Sequence, residues 1–299
     1  MFTRLIVPLD GSKIAEAALP SANLLAHALH STVLLIHILE KNAPQSIHGE
    51  DHLQDAHEAK SYLQTIARKT FSKNVTVEQH IHTGEESDVA SSLSAHSGES
   101  TRDLIIMCAH PTRRLQTWWS GSIAQQIVST GHTPILLIPE GKDELSTPVL
   151  YKRLLLPLDE DVDHEQVIPL SIDLAKKFHS RIELLSVVPT LATLEGENAL
   201  TGKLLPSAMR ATLEISVEQM QKYLASIMRK IRQNKIDVHT EVVRGDPVHE
   251  IHLAADRCCT GLVVLGTHGR IGQAAFWAGS VASKLSTSLD VALLLVPIH

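Results

Sequence analysis

The chain has 299 residues, enough for two domains, and its 43% hydrophobic and 20% charged residues are typical of a globular protein. Its net charge of −6 argues against non-specific binding to nucleic acid, which requires a basic surface. No apolar run is long enough to span a bilayer, and the first ten residues become acidic too early for a signal peptide. Three cysteines are too few for a disulfide framework, so we expect a reduced, cytoplasmic compartment.

Short apolar runs rich in Val, Ile and Leu alternate with helix-length segments along the whole chain. Such runs are typical of strands buried on both faces of a parallel sheet. The first half has predicted strands at 4–9, 32–39, 75–82, 103–108 and 134–139, with helices at 14–29 and 53–71. The second half has strands near 153–158, 181–188, 236–243, 261–266 and 291–297, with helices near 164–178, 208–233, 247–258 and 279–288. Each half is therefore predicted to be a doubly wound, Rossmann-like α/β module with five parallel strands.

The two halves are copies of each other. The run Arg4–Asp10 reappears as Arg153–Asp159, in the same position before the first helix. Near the other end of the copies, Gly121-Ser122 corresponds to Gly279-Ser280. Shared order and shared spacing of these unusual residues indicate an internal duplication.

The duplication predicts the domain boundaries. We expect one module at 1–141 and a second at 152–299, joined by a polar linker at 140–151 that contains Gly and Pro. The second copy is longer in its middle, and Leu191–Pro206 is predicted to be an inserted loop.

A glycine-rich stretch follows the fourth strand of the second copy. Gly266-Thr267-His268-Gly269 leads out of that strand, and Gly279-Ser280 opens a helix nine residues later. Glycines let backbone N–H groups approach an anion, and a helix start adds unpaired donors and the positive end of a dipole. Asp159 ends the first strand of the same copy, at the edge where doubly wound sheets bind ligands. The pattern predicts a polyphosphate site, with Arg270 as an added positive charge.

With these residues, both copies resemble the universal stress proteins in their tandem two-module form. Nucleotide-binding members carry G-x2-G-x9-G-[S/T], an Asp that closes the first strand and contacts the adenosine end, and a backbone contact to adenine late in the second strand. The resemblance implies a stress-response protein that binds ATP in its second copy. The implied site is Pro157, Leu158, Asp159, Val187, Gly266, Thr267, His268, Gly269, Arg270, Gly279, Ser280 and Val281.

The resemblance also has implications for assembly. Universal stress proteins commonly pair through their last strands, so Ile135–Ile138 and Leu293–Val296 are expected to join the modules as an internal pseudo-dimer. A further homodimer of chains is expected, and no nucleic-acid or membrane partner.

The first copy has lost part of the motif. Cys108 and Pro111 occupy the positions of Gly266 and Gly269, and proline removes a backbone donor. The second copy departs from the family after its first strand, because Glu160-Asp161 takes the place of Gly11-Ser12 and Asp163, His164 and Glu165 follow, which makes an acidic run at 160–165. These carboxylates would repel phosphates, so either the run points away or Mg²⁺ takes part in binding.

Alternatives remain for each feature. Asp10 and Asp159, which end the first strands of the two copies, could instead be simple strand-end caps. The chain as a whole could instead be a scaffold that binds no nucleotide, or a metal-binding stress protein. His80 with His82, and His249 with His252, have spacings that permit shared metal ligation, but neither pair has an adjacent third ligand, which disfavours zinc. No base for activating water and no Walker-type lysine is evident, so at most slow ATP hydrolysis is expected.

Overall fold

The computed structural model of the chain forms two compact units, Met1–Pro148 together with Thr267–His299, and Val149–Gly266. The structure describes residues 1–39, 46–47, 50–51, 53, 55–83, 89–90, 92–93, 102–109, 123–124, 126–128, 133–139, 151–268 and 280–298. In these ranges no helix combines the length and apolar character that crossing a bilayer requires. The predicted linker falls outside them except for Tyr151, which is buried and packs against Phe178 with ring centroids 4.7 Å apart.

Among its described residues, the first unit has six strands in its sheet: β1 (Arg4–Pro8), β2 (Thr32–Ile38), β5 (Val77–His82), β6 (Asp103–Ala109), β7 (Ile135–Pro139) and β12 (Ala292–Ile298). Their order is β12-β7-β6-β1-β2-β5, and every pair is parallel except β12 with β7. A separate two-stranded piece pairs β3 (Ser46–Ile47) with β4 (Glu50–Asp51). The helices of this unit with both ends in the described ranges are α1 (Lys13–Glu16), α2 (Leu19–Leu29), α3 (Ala56–Thr70) and α8 (Val281–Ser288).

The second unit has the parallel strands β8 (Arg153–Pro157), β9 (Arg181–Val188), β10 (Val238–Arg244) and β11 (Leu262–His268), in the order β10-β9-β8-β11. The last two residues of β11, Thr267 and His268, belong to the first unit. A 3-10 turn at Val162–Gln166 leads into α4 (Val167–Phe178). The remaining helices are α5 (Gly196–Leu204), α6 (Pro206–Arg232) and α7 (Pro247–Arg257).

The strand order confirms the doubly wound α/β prediction. β1 lies between β2 and β6, and β8 lies between β9 and β11, so the connections leave the first strand of each copy in both directions. The ten strands are mostly parallel and flanked by helices. The central side chains of β1 and β8, from Leu5 to Val7 and from Leu154 to Leu156, are at most 1% exposed, as strands covered on both faces require.

The predicted pairing of the last strands is confirmed. β12 runs antiparallel to β7, with Leu293 opposite Leu137 and Leu295 opposite Ile135. All four side chains are buried, so this pairing forms part of the core of the first unit.

Two sequence predictions of local structure were wrong. The single helix expected at 14–29 is two helices, because Pro20 has no backbone N–H to donate and is placed in the first turn of a new helix that begins at Leu19. The segment Leu191–Pro206 contains α5 rather than only a loop. Gly202 permits close packing there, since a Cβ at this position would lie 3.0 Å from Leu194 Cδ1.

A buried ion pair joins two strands of the first unit. Arg4 Nε donates to Asp103 Oδ1 at 3.1 Å, and Arg4 Nη2 donates to Asp103 Oδ2 at 2.6 Å. The Asp103 side chain is 0% exposed, and this bidentate partner offsets the cost of burying its carboxylate. In the second copy Gly261 occupies the corresponding position, and Arg153 instead donates to the carbonyl of Cys258.

This difference predicts unequal effects of one substitution in the two copies. Arg4→Met should lower the free energy of unfolding by about 3–5 kcal/mol, because it leaves a buried carboxylate unpaired. Arg153→Met removes one hydrogen bond and should cost about 1 kcal/mol. Urea denaturation followed by circular dichroism measures both, and equal losses for the two variants would contradict the assignment.

Candidate functional site

The carboxyl ends of β8, β9 and β11 meet at one edge of the second unit's sheet. The β8–β9 ladder ends with Pro157 opposite Leu185, and the Leu158 N–H donates to the Leu185 carbonyl at 2.8 Å. Asp159 follows immediately, on the exposed side of this edge. Gly266 lies in β11, on the other side of β8. The structure therefore brings Pro157, Leu158, Asp159 and Gly266 to the topological switch point.

The Asp159 carboxylate is held by two contacts on one oxygen. Its Oδ1 accepts the Asp161 N–H at 3.1 Å and lies 2.6 Å from His164 Nδ1. The side chain is 63% exposed, and no hydrogen bond from the described part of the chain reaches Oδ2. The arrangement orients the carboxylate and leaves one oxygen for a ligand donor.

His164 is the partner of Asp159 within the acidic run. Its hydrogen bond to Asp159 raises the pKa of His164 above the ordinary 6.5, and the charges of Asp159, Asp161 and Asp163 add to this effect, whereas partial burial opposes it. Asp161 also caps the 3-10 turn by accepting the Asp163 N–H at 3.0 Å. The acidic run is thus partly engaged in its own local structure.

Helix α6 contributes two more groups beside the acidic run. Lys230 Nζ lies 3.2 Å from Glu165 Oε2 and neutralises that carboxylate. Burial and the neighbouring negative charge of Glu165 raise the pKa of Tyr223 far above the ordinary 10.0, so its phenol is neutral. Tyr223 also packs against the cluster of Val188, Leu213 and Met220 at the end of β9.

Val187 lies where β9 extends beyond β8. The strand continues to Val188, past the Pro157–Leu185 pair, and the Leu158 carbonyl accepts the Ser186 hydroxyl at 2.5 Å. On its other side Val187 pairs with Val243 of β10. Its backbone therefore projects past the end of the β8 ladder.

The remaining predicted residues belong to the first unit or lie outside the described ranges. Thr267 is buried, and its hydroxyl donates to the Val296 carbonyl at 3.4 Å. Ser280 is the N-cap of α8 and accepts the Ser283 N–H at 3.1 Å, which leaves the Ser280 hydroxyl proton to donate elsewhere. Val281 is the first residue of that helix, and His268 ends β11. Gly269, Arg270 and Gly279 lie outside the described residues, as do Pro111 and Gly121-Ser122 of the first copy.

At the corresponding edge of the first unit, Leu53 covers the turn that follows the first strand. Asp10 Oδ1 accepts the N–H and hydroxyl of Ser12, at 2.9 and 2.7 Å, so the turn matches that of the second copy. His37, in the position of Ser186, contacts the Leu9 carbonyl at 2.7 Å and also reaches the Leu53 carbonyl at 3.1 Å. Leu53 is thereby held over Gly11, whose added Cβ would lie 2.9 Å from Leu53 Cγ.

The histidine pairs do not form a metal cluster in the part of the chain described. His80 and His82 have ring centroids 6.2 Å apart on β5, and Asp246 caps α7 through the His249 N–H at 2.9 Å. Within the described ranges no three His, Cys, Asp or Glu side chains are grouped as a metal ion requires.

Sequence reasoning did not assign roles to His164, Tyr223 or Lys230. The spacing of Asp159 and His164, with an Asp between them that caps a turn, was an available signal for their contact. Tyr223 and Lys230 carried no such signal, because only the packing of α6 brings them near residues about 60 positions earlier in the chain.

The His164–Asp159 pair predicts a pH dependence of stability. The protonated pair stabilises the folded unit fully below pH 6.5, and this contribution is lost as the pH rises through the elevated pKa of His164. Because Asp159 is 63% exposed, solvent screening limits the effect to about 1 kcal/mol. His164→Gln keeps a donor without a titrating charge, so its stability relative to the unchanged chain should rise with pH. Chemical unfolding at several pH values tests this, and parallel profiles for the two proteins would contradict it.

Comparisons with known proteins agree with the fold and the duplication. The model of the "Universal stress protein family" matches residues 1–139 and again residues 150–297. A universal stress protein of Methanocaldococcus jannaschii is 24% identical over 147 residues, which cover 49% of this chain and 82% of that protein. The crystal structure of a universal stress protein from Archaeoglobus fulgidus superposes with a TM-score of 0.66 at 13% identity, covering 98% of both chains.

A second similar structure, at a TM-score of 0.35 and 15% identity, is of a universal stress protein in complex with cAMP; the match covers 50% of this chain and 98% of that one. The family match extends over both copies and nearly the whole sequence. The chain therefore belongs to the universal stress protein family, as a tandem of two family domains.

Proposed function

We propose that the C-terminal copy, residues 152–299, binds ATP and that this binding serves a regulatory or protective role in the stress response. The observation that carries the proposal is the Asp159 carboxylate, which lies at the switch point with one oxygen held in place and the other open. Ligands of doubly wound sheets bind at this position. The N-terminal copy, residues 1–141, is proposed to keep the fold without a working phosphate loop.

The adenosine end would be recognised at the carboxyl edge of the second unit. The open Asp159 Oδ2 is a charged acceptor for a ribose hydroxyl or an amino group, and hydrogen bonds to charged groups are the stronger ones. The backbone of Val187 extends past the β8 ladder and offers main-chain groups to the base. The Ser186 hydroxyl donates to the Leu158 carbonyl and fixes the backbone just before Asp159, so this part of the site is already ordered without a ligand.

The phosphate end would be bound by the motif that begins at Gly266. Gly269 and Gly279 complete its glycines, and Arg270 supplies a permanent charge. Ser280 supports the proposal because its hydroxyl oxygen already accepts a helix N–H while its proton remains to donate to a phosphate. The free N–H groups of the first turn of α8 add further donors.

The proposal is binding with at most slow hydrolysis. The motif has no Walker-type lysine after its glycines, and two of the titratable groups near Asp159 have partners, His164 with Asp159 and Glu165 with Lys230. Bound Mg²⁺ would neutralise phosphate charge near Glu160 and Asp163, which are exposed. We therefore expect tighter ATP binding with Mg²⁺ than with EDTA.

Calorimetric titration with Mg·ATP tests the proposal, together with chromatography of any nucleotide released from the purified chain. One molecule of ATP per chain is expected. Asp159→Asn should weaken binding about 10- to 100-fold through loss of a charged acceptor, and Gly269→Val should abolish it because a β-branched side chain blocks the backbone approach.

The first copy supplies matched controls for both substitutions. Asp10→Asn and Pro111→Val should leave ATP binding unchanged, since they alter the same positions in the copy without the glycines. Absence of ATP binding to the unchanged chain would favour the scaffold alternative and overturn the proposal. If Asp10→Asn weakened ATP binding and Asp159→Asn did not, the site would lie in the first copy and the proposal would be contradicted.

A homodimer is proposed on the family resemblance and is tested separately. Light scattering after size exclusion should give twice the 32.7 kDa mass of one chain. A mass of one chain at micromolar concentration would contradict it.

A further inference from the structure

A cationic cleft lies at the amino ends of β8 and β9, at the edge opposite the proposed nucleotide site. It has a volume of about 530 Å³ and is lined by the starts of these strands, the end of α4 and the segment that follows α6. Five cations face it together with one carboxylate: Lys152, Arg153, Lys176, Arg181, Lys235 and Asp237. This local excess of positive charge occurs in a chain whose net charge is −6.

The cations are positioned by contacts that leave donors unused. Lys176 Nζ donates to Asn234 Oδ1 at 2.8 Å, and Lys152 Nζ donates to the Phe178 carbonyl at 3.3 Å. An ammonium group has three donors, so each lysine keeps capacity for a second partner. Arg181 Nε donates to Asp237 Oδ2 at 2.8 Å, and this pair neutralises one of the five positive charges. Four cations remain in excess.

Helix capping alone does not account for this charge. Helix C-termini attract cations, and α4 ends in the cleft with His179 in the left-handed conformation. However, α2 of the first copy ends in the same way, at His30 with φ 57° and ψ 41°. There Thr3, His27 and Thr32 occupy the positions of Lys152, Lys176 and Arg181. The same helix end is stable without these cations.

A second difference also lowers the positive charge at the corresponding edge of the first copy. Arg4, the counterpart of Arg153, is neutralised by the buried Asp103, whereas Gly261 removes that carboxylate from the second copy. Lys73 is a remaining cation in the loop that follows α3. The concentration of charge is therefore specific to the second unit and is separate from the family fold that both units share.

We propose that this cleft binds a phosphorylated small molecule through its phosphate groups. Arginine and lysine donors converging in one concave site suit a compact multivalent oxyanion, and phosphate accepts from several of them at once. The overall negative charge of the chain opposes an extended polyanion such as nucleic acid, whereas a small ligand contacts only the cleft. The proposal does not depend on the nucleotide site, because it concerns the opposite edge of the sheet.

Calorimetric titration with inorganic triphosphate at low ionic strength tests the proposal. The full-length Gly269→Val chain is used, so that the phosphate motif does not contribute, and its fold is checked by circular dichroism. Triphosphate should bind with a stoichiometry of one, and acetate should not compete. Lys176→Gln combined with Lys235→Gln should weaken binding at least about tenfold, since two of four excess charges are lost.

Lys177→Gln is the matched control, because Lys177 lies in the same last turn of α4 but does not line the cleft. It should leave triphosphate affinity unchanged. A second arm compares inorganic phosphate with inorganic triphosphate in the Gly269→Val chain, and tighter binding of triphosphate would support recognition through several phosphate groups. No triphosphate binding by that chain, or an equal loss from Lys177→Gln, would overturn the proposal.

Discussion

The parallel order of the strands is the constraint on which the proposed function depends. Carboxyl ends of parallel strands meet at one edge, and the order β10-β9-β8-β11 brings Asp159 between the ends of β9 and β11. The Asx turn that holds Asp159 Oδ1 then determines which carboxylate oxygen faces solvent. Because the same turn occurs at Asp10, this geometry belongs to the duplicated fold rather than to one copy.

Sequence differences at equivalent positions make the two copies chemically unequal. His37 spans two carbonyls and holds Leu53 against Gly11, whereas the shorter Ser186 reaches only the Leu158 carbonyl. Asp103 neutralises Arg4 in the first copy, whereas the second copy has Gly261 at that position and an unneutralised Arg153. The polar groups of the first copy are thus engaged in internal contacts. The second copy has an exposed carboxylate at the carboxyl edge of its sheet and a group of cations at the amino edge.

Much of the fold was predictable from the sequence, and the site only partly. Val- and Leu-rich runs and the repeat determine the strands, and the pairing of β12 with β7 was expected from the family resemblance. The helix α5 was missed because Gly196 and Gly202 are typical loop residues, although Gly202 here allows Leu194 to pack. The contacts of Lys230 and Tyr223 depend on how α6 packs, which no local pattern contains.

The most direct test of one nucleotide site per chain is a crystal structure of the chain soaked with Mg·ATP. We expect adenosine beside Asp159 and Val187 of the second copy, with a hydrogen bond to the open carboxylate oxygen. No nucleotide is expected beside Asp10 and Ile38, which are the counterparts of these residues in the first copy. Nucleotide bound beside Asp10, or none beside Asp159 at saturating ATP, would contradict this expectation.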